Sequence, residues 1–493
     1  MLFNSLHFFI FFIVVLATYY MSNHKFRWVI LLASSYYFYM QWNYKYIILI
    51  LISTVMAYAM ALLIQNEERN NLRKLYLSIN IITSLGILII YKYYNFFNDS
   101  LRVLFERFDM GYSLSNLALL LPMGISFYTF QTLSYTIDVY RKDIEAEKHF
   151  GKFALYVTFF PQLVAGPIER SKNLLPQFSR KYKFNYDDFT KGFHLIFWGL
   201  FKKVVIADQS AVIVNTVYND VTSYSGIHFI IATVFFAIQI YCDFSGYSDM
   251  AIGIAKTMGF DLMKNFEQPY FSKSIGEFWK RWHISLSTWF KDYLYIPLGG
   301  NRVKLFKQFR NILITFLISG LWHGANWTFV IWGLIHGIYL VAELVLYKIF
   351  KPVLSKVKTE NFLIKILIVI INCIKRAITF ILVLFAWIFF RANSISDGKY
   401  IVEKIFVYVQ EGIEWINFEE IVFNLGLSKI ETTAVLYSII VLIVYDLIYY
   451  KYGVEKLLIK IPLPIRWAIY YAVIIATLLF RNVKVQEFIY FQF

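Results

Sequence analysis

The sequence is poor in charge and almost free of cysteine. Only 16% of its 493 residues are charged, and its two cysteines, Cys242 and Cys373, both stand in or near apolar segments. This arrangement excludes a disulfide framework and offers no thiolate metal motif. By contrast, 59% of the residues are hydrophobic, which is more apolar surface than a soluble domain of this length could bury. The composition therefore excludes both a small secreted scaffold and a soluble enzyme.

Several catalytic motifs are missing as well. The sequence contains no H-E-x-x-H or H-x-x-x-H pair, no G-x-S-x-G elbow and no glycine-rich phosphate loop. These patterns mark zinc enzymes, serine hydrolases and nucleotide-binding proteins respectively. We therefore expect no metal ion and no permanently bound cofactor.

Apolar runs close to the ~20 residues that cross a bilayer recur along the whole sequence. They predict an all-α, polytopic membrane protein. We expect one integral-membrane domain over 1–493, with N-terminal spans (1–115), a core (116–345), and C-terminal spans with an aromatic tail (346–493). The apolar runs are Leu2–Tyr20, Ile47–Ile64, Leu75–Tyr94, Ile227–Ile240, Asn311–Leu321, Trp327–Leu346, Phe362–Phe390 and Ala434–Tyr449.

The formal net charge of the chain is +16. In a membrane protein, an excess of Lys and Arg marks cytoplasmic loops beside anionic lipid, so we expect the lipid bilayer and no nucleic acid as a partner. No basic residue precedes the first span, whereas Lys25 and Arg27 follow it. The positive-inside rule therefore places the N-terminus outside, and an outward last span would place the C-terminus outside too.

One polar, cationic and glycine-rich stretch, Ser274–Gly337, interrupts the apolar sequence. Polar sequence at membrane depth needs a cavity or partners. Its first half opens with S-I-G-E, a capping box that predicts a helix start at Ser274. On that helix, Trp279 and His283 would share one face. The basic character of the helix favours a re-entrant position at the cytoplasmic side over a span through lipid.

The second half of the stretch, Asn311–Gly337, is apolar and predicts a single span with His323 in its middle. It contains two G-x-x-x-G spacings, which let helices approach closely. His336 follows His323 by 13 positions, roughly 220° around a helix. We therefore expect His336 to face elsewhere and to serve packing.

The two intramembrane histidines are the main candidates for chemistry. His323 could remove a proton from a hydroxyl as a general base; the alternative is a hydrogen-bonded packing residue. His283 could polarise an acyl carbonyl or donate to a developing oxyanion; its alternative is an interfacial polar residue on a basic helix. The catalytic hypothesis requires the two imidazoles to meet.

Further residues are candidates for lining a tunnel or binding a donor. The basic ones suit an anionic, phosphate-bearing donor such as a coenzyme A thioester, although ordinary positive-inside charge explains them about as well. Asp243 stands in a polar insertion within an apolar run. Structural polar packing and a role in the tunnel are both open interpretations of this residue. The candidates are Trp279, Lys280, Arg281, Trp282, Ser285, Trp322, Asn326, Trp327, Asp243 and Arg302.

Taken together, segments spread from about residue 120 to the end resemble the membrane-bound O-acyltransferase (MBOAT) superfamily, and within it the bacterial alginate O-acetyltransferase branch. The N-terminal spans fit more loosely. The matching segments are LPMGISFYTFQTLSYTIDVYR, FFPQLVAGPIER, YCDFSGYSDMAIGIAKTMGF, NFEQPYFSKSIGEFWKRWHISLSTWFKDYLYIPLGGNR, SGLWHGANWTFVIWGLIHG, FAWIFFRANS and FIYFQF.

The resemblance implies a fold in which about 11–13 transmembrane helices and additional re-entrant helices surround a central tunnel through the bacterial cytoplasmic (inner) membrane. It implies that His323 is the catalytic histidine and that His283 is the second catalytic position. It further implies that an acetyl group from cytoplasmic acetyl-CoA reaches an extracytoplasmic polysaccharide or peptidoglycan. A separate SGNH-type esterase-like protein would complete the transfer.

The aromatic tail VQEFIYFQF adds one hypothesis. In related D-alanyl transfer systems, a small accessory peptide ends in a similar motif with a tyrosine. By that resemblance, Tyr490 is a candidate acyl relay, with hydrophobic anchoring as the alternative. Two other functions stay open: D-alanyl transfer to teichoic acid from a carrier protein, and a transporter or flippase, for which broken helices and intramembrane histidines are equally natural.

Overall fold

The structure of the protein is a computed structural model, and every regular element that it describes is a helix. This confirms the all-α fold class. The description covers residues 1–354, 362–412, 418–452, 462–479 and 488–489.

The α-helices of these ranges are numbered here in chain order. Three π-helical segments, Ile89–Tyr93, Phe201–Ala207 and Lys291–Tyr295, join some of them. The α-helices are α1 (Leu6–Met21), α2 (His24–Asn43), α3 (Ile47–Asn66), α4 (Asn70–Leu88), α5 (Tyr94–Glu106), α6 (Ile125–Arg141), α7 (Phe150–Thr158), α8 (Ser171–Leu174), α9 (Tyr186–Leu200), α10 (Asp208–Tyr218), α11 (Gly226–Thr257), α12 (Ile275–Arg281), α13 (Ile284–Phe290), α14 (Leu305–His323), α15 (Trp327–Leu354), α16 (Phe362–Arg391), α17 (Ile395–Glu411), α18 (Phe418–Phe423), α19 (Lys429–Tyr452) and α20 (Leu463–Leu479).

Six helical stretches among the described residues are long and apolar enough to cross a membrane. They confirm a polytopic membrane protein, while the larger expected number of about 11–13 spans stays a prediction. The six stretches are His24–Asn66, Asn70–Glu106, Gly226–Thr257, Trp327–Phe350, Lys365–Arg391 and Lys429–Tyr450.

The chain divides into two compact units. Met1–Ile196 and Tyr247–Lys264 form the first, whereas Phe197–Gly246 and Asn265–Phe493 form the second. The single domain expected over 1–493 stays a prediction.

In the first unit, α3, α4 and α6 pack together, and α2 packs against α7. A buried polar contact joins two of these helices, because Asn80 Nδ2 donates to Thr136 Oγ1 at 3.1 Å. After α7 the chain continues through residues 159–170 without a helix, although all of them are buried. Pro161 and Pro167 prevent a helix there, because proline lacks the N–H that a helix interior needs.

In the second unit, the core is built around large aromatic side chains. Trp282, Trp332 and Trp387 are each at most 1% exposed. The ring centroids of Trp332 and Trp387 are 5.8 Å apart and stacked, and those of Trp282 and Trp387 are 5.1 Å apart. These rings join α15, α16 and the residue that follows α12. Residues of the polar stretch are therefore part of this core.

α14 and α15 form an antiparallel hairpin whose helices touch through glycine. A Cβ on Gly320 would lie 2.3 Å from the carbonyl oxygen of Phe329, and one on Gly333 would lie 2.2 Å from that of Phe316. The paired residue numbers run in opposite directions, which shows the antiparallel order. Close contact of this kind is what small-residue spacing permits.

The single span expected over Asn311–Gly337 is therefore wrong. α14 ends at His323, Gly324 is extended with φ −160°, and α15 begins at Trp327. The break turns the chain back on itself, because backbone outside the helical region cannot continue a helix. His323 thus stands at a helix end and not in the middle of a span.

The helix expected to run from Ser274 through His283 is correct at its start and wrong at its end. Ser274 Oγ accepts the N–H of Glu277 at 3.2 Å, as the capping box predicted. Between α12 and α13, however, His283 adopts left-handed backbone with φ 43° and ψ 54°. Trp279 and His283 therefore do not share a helix face. Left-handed backbone is uncommon for a non-glycine residue and is concentrated at functional sites.

We expect Gly320→Ala to lower the free energy of unfolding by roughly 1–3 kcal/mol, because the added methyl group meets a backbone carbonyl that cannot move aside. Thermal unfolding of the detergent-purified protein measures the change. Gly86→Ala is the matched control, since a Cβ there meets nothing within 4 Å. Equal stability of the two variants would contradict the close contact of α14 with α15.

Candidate active site

The two histidines of the polar stretch meet within the second unit. The ring centroids of His283 and His323 are 6.4 Å apart. Their side chains are buried, at 0% and 2% exposure respectively. One histidine ends α14 and the other forms the turn between α12 and α13. Two breaks in helical structure therefore bring the imidazoles together.

Asn265 holds the turn that carries His283. Its backbone carbonyl accepts the N–H of Ile284 at 2.8 Å. Its side-chain oxygen accepts the backbone N–H of Ser285 at 3.2 Å and the Ser285 hydroxyl at 2.9 Å. The same oxygen lies 3.1 Å from Nδ1 of His283. The left-handed conformation at His283 is thus stabilised from both the main chain and the side chain of Asn265.

These contacts also decide which nitrogen of His283 carries the proton. A backbone N–H can only donate, so the amide atom that faces Ser285 must be the oxygen of Asn265. That oxygen can only accept, and Nδ1 of His283 must therefore be protonated. In the neutral ring, Nε2 then carries the lone pair.

His283 is fully buried, and burial favours the uncharged form of an imidazole. With Nδ1–H donating to Asn265, the neutral ring presents Nε2 as a hydrogen-bond acceptor. This is the state in which an imidazole can receive a proton or orient a hydroxyl.

Aromatic rings surround the two histidines, and we call them the aromatic chamber. Four rings lie near His323 or His283 with centroid distances between 4.5 and 5.5 Å, and all are edge-on. Such walls exclude water, which strengthens electrostatic interactions and protects a reactive acyl group from hydrolysis. The four rings are Phe244 beside His283, and Trp322, Trp332 and Phe390 beside His323.

A large cavity of about 1390 Å³ lies in the second unit. It exceeds the roughly 300–1,000 Å³ of common small-molecule sites, so it has room for a long ligand. Residues of α12, α13, α14, α15 and α16 line it, and its lining is mostly apolar. Four lysines supply positive charge to the lining, namely Lys273, Lys280, Lys291 and Lys375.

One face of α14 lines this cavity, and the same helix ends at His323. The lining residues on α14 lie on one face of the helix, since residues three and four apart are neighbours there, and they begin at Gln308 and end at Ser319. This stretch is about 16 Å long at a helical rise of about 1.5 Å per residue. His323 is the next position of the same face, one turn beyond Ser319. The lining residues on α14 are Gln308, Ile312, Thr315, Phe316 and Ser319.

The cavity includes some of the predicted donor-binding residues and omits others. Trp279 and Lys280 line it. Arg281 is instead paired with Glu277 at 2.9 Å, and Arg302 is exposed outside the lining.

The remaining candidates have other surroundings. Trp282 packs in the core beside Trp387, and Ser285 donates to Asn265. Asn326 caps α15, since its Oδ1 accepts the N–H of Thr328 at 3.0 Å. Trp327 is 49% exposed. None of these four residues lines the cavity. The structure therefore brings together only part of the predicted set.

Asp243 lies in a buried ionic cluster. Its carboxylate is 2.6 Å from Lys203 Nζ, and that ammonium is also 2.8 Å from Asp208. The side chain of Asp243 additionally accepts the backbone N–H of Ile489 at 2.8 Å. Tyr490, the candidate relay, lies outside the described residues.

Sequence reasoning did not identify Asn265, Lys203 or the role of His336. The argument that placed His336 on the face opposite His323 assumed one continuous helix, which the break after His323 invalidates. His336 accepts a hydrogen bond from Trp279 Nε1 at 3.2 Å through Nδ1. A signal existed for Lys203, because two adjacent lysines stand in an otherwise apolar run.

Comparison with known proteins identifies the chain's relatives. The profile of the membrane-bound O-acyltransferase family, MBOAT, matches residues 146–385. The chain is 41% identical over 407 residues to the probable alginate O-acetylase AlgI of Pseudomonas aeruginosa, covering 82% of this chain and 74% of that protein. It is 36% identical over 405 residues to the peptidoglycan O-acetyltransferase of Helicobacter pylori, covering 77% and 73% respectively. A shorter match reaches 31% identity over 238 residues with the teichoic acid D-alanyltransferase of Streptococcus thermophilus, covering 44% and 56%.

The chain therefore belongs to the membrane-bound O-acyltransferase family, as its motifs predicted. It is a multi-span membrane acyltransferase. The relatives named for alginate and for peptidoglycan O-acetylation match it over most of its length.

We expect Asn265→Ala to lower the Tm more than Ser285→Ala does. The first substitution leaves the buried donors of Ser285 and His283 without their acceptor, and each buried group left unsatisfied costs about 1–3 kcal/mol. Ser285→Ala removes a donor together with its own requirement for a partner. Thermal unfolding of both variants in one detergent decides the point. A larger loss for Ser285→Ala would contradict the role assigned to Asn265.

Proposed function

We propose that the protein is a membrane O-acetyltransferase that passes an acetyl group from cytoplasmic acetyl-CoA toward an extracytoplasmic polysaccharide or peptidoglycan. The observation that carries this proposal is the juxtaposition of His283 and His323 in the aromatic chamber, one helical turn beyond a mostly apolar cavity that four lysines line. Relatives named for alginate and for peptidoglycan O-acetylation support this substrate class.

The cavity supplies a place for the donor. Its apolar lining along α14 suits the long arm of a coenzyme A thioester, and its lysines suit the phosphates. Ser319 would lie near the thioester end, since His323 is the next residue on that face of α14. The donor would enter from the cytoplasm, where the basic loops are expected.

The chemistry requires one proton to move. His323 takes the proton of the acceptor hydroxyl as that oxygen attacks the thioester carbonyl. A new C–O ester bond forms, the C–S bond breaks, and the imidazolium returns its proton to the leaving thiolate. The chamber excludes water, so the hydroxyl competes without hydrolysis of the donor.

His283 supports this step as an acceptor. Its neutral ring holds its proton on Nδ1, toward Asn265 Oδ1 at 3.1 Å. Nε2 is therefore a second acceptor in the chamber. Because the attacking hydroxyl has a single proton, which passes to His323, Nε2 of His283 can accept only from a different donor group of the bound substrates. The oxyanion-donor role considered from the sequence would require the doubly protonated ring, which burial disfavours.

Delivery to the polymer needs a further component. We propose that an extracytoplasmic SGNH-type protein completes the transfer, and that both chain termini lie on that side of the bacterial cytoplasmic membrane. The relay ester at Tyr490 stays a prediction, because that residue lies outside the described part of the chain.

D-alanyl transfer to teichoic acid is the second candidate, and the shorter match to a teichoic acid D-alanyltransferase favours it. It would use the same histidines with a carrier-protein thioester as donor. The two functions are separated by supplying the purified protein first with labelled acetyl-CoA and then with a carrier protein that holds a labelled D-alanyl group. Only the true donor should lose its label to the acceptor.

We expect His323→Gln to lower acetyl transfer by ~10²–10⁴-fold, the usual contribution of a general base. His228→Gln is the control, because that histidine lies in the same unit and contacts Ser225, away from the chamber. Release of free coenzyme A from acetyl-CoA, measured with the acceptor present, reports the reaction. Substrate movement across vesicles that persists in His323→Gln, with no acetylated product from either protein, would instead support a transporter.

We expect Lys280→Glu and Lys291→Glu to raise the KM for acetyl-CoA roughly tenfold each, because each removes a cation that pairs with donor phosphate. The kcat should stay within about twofold, since the catalytic histidines are untouched. Lys304→Glu is the matched control. This exposed lysine directly precedes α14 and does not line the cavity. An equal rise in KM for the control would contradict donor binding in this cavity.

A further inference from the structure

The ionic cluster of Lys203, Asp208 and Asp243 is buried and lies beside the catalytic region. Lys203 and Asp208 are each 5% exposed, and Asp243 is 2% exposed. Ionisable groups inside a membrane protein are costly and usually serve a function. The mechanism above uses none of these three residues, so the cluster calls for an explanation of its own.

The cluster contacts a segment that is remote in sequence. Asp243 uses one carboxylate oxygen for Lys203 at 2.6 Å and the other for the backbone N–H of Ile489 at 2.8 Å. Lys203 supplies the counter-charge and is itself fixed by Asp208 at 2.8 Å. A carboxylate that accepts from a main-chain N–H makes a strong, charge-assisted hydrogen bond. It binds backbone and so places the segment without regard to its side chain.

The next residue of α11 joins the same segment to the active site. Phe244 lies 5.9 Å from Phe488 between ring centroids, and 4.5 Å from His283 on edge. Phe488 and Ile489 are 1% and 2% exposed. Two consecutive residues of α11 therefore contact this segment. The carboxylate of Asp243 binds the backbone N–H of Ile489, and the ring of Phe244 packs between Phe488 and His283.

We propose that Asp243 is a positioning residue that anchors the Phe488–Ile489 segment, so that this segment forms one wall beside the aromatic chamber and is a component of the acyl-transfer site. The catalytic consequence rests on the proposed acetyl transfer, whereas the anchoring itself does not. Apolar packing alone would bury the two side chains but would not require a buried carboxylate facing a backbone N–H.

Anchoring is tested first, without reference to activity. Ile489→Cys in a Cys373→Ser background places a reporter thiol at a buried position, with Cys242 also buried. We expect Asp243→Ala to raise the rate of maleimide labelling of this thiol by roughly 10- to 100-fold, as the loss of a hydrogen bond to a charged group implies. Asp446→Ala is the matched control, because that buried carboxylate accepts from Tyr241 instead.

The catalytic role is tested with the charged cluster intact. Ile489→Pro removes the N–H that Asp243 accepts, and Ile489→Val retains it. We expect Ile489→Pro to lower kcat for acetyl transfer about tenfold or more with an unchanged KM for acetyl-CoA, since the donor cavity does not include this segment. Ile489→Val keeps the N–H and should lower kcat much less than Ile489→Pro does, and all variants should elute as folded protein.

The outcomes separate the two proposals. Unchanged labelling in Asp243→Ala, or full kcat in Ile489→Pro, would overturn the anchor. If the parent protein transfers no acetyl group at all while Asp243→Ala still exposes the reporter thiol, the anchor stands and the proposed function fails.

Discussion

The candidate site depends on one residue, Asn265, which satisfies buried polar groups around the turn at His283. Its backbone carbonyl and side-chain oxygen accept from Ile284, Ser285 and His283. Without these bonds, a left-handed histidine in an apolar interior would carry both backbone strain and unsatisfied donors. The same bonds place the proton on Nδ1 and leave Nε2 as acceptor. One local constraint therefore fixes both the conformation and the tautomer of His283.

The second half of the site follows from the way α14 and α15 approach each other. Glycines at positions 320 and 333 allow backbone contact between them, and the hairpin turn leaves His323 at the end of α14. The helix end carries the histidine into the aromatic chamber, while the same helix lines the cavity one turn earlier. The cavity lining and His323 are thereby held on one helix.

Much of this could be predicted from sequence. Apolar runs predicted helices at positions where α3, α16 and α19 occur, because the length and hydropathy of a span are local properties. The capping box at Ser274 was read correctly for the same reason. The helix breaks at His283 and after His323 were missed. Neither break contains proline. The turn at His283 depends on Asn265, a contact that local propensity does not reveal, whereas Gly324 and the capping residue Asn326 were local signals for the break after His323.

The sequence by itself determined the membrane class, the family and the two histidines, since hydropathy and motif residues are present in the chain before it folds. Only the tertiary structure decided that these imidazoles lie 6.4 Å apart, that Asn265 sets the tautomer, and that Asp243 binds the main chain of Ile489. Those facts join residues up to 246 positions apart. They arise because burial forces each polar group in an apolar interior to find a partner, wherever in the chain that partner lies.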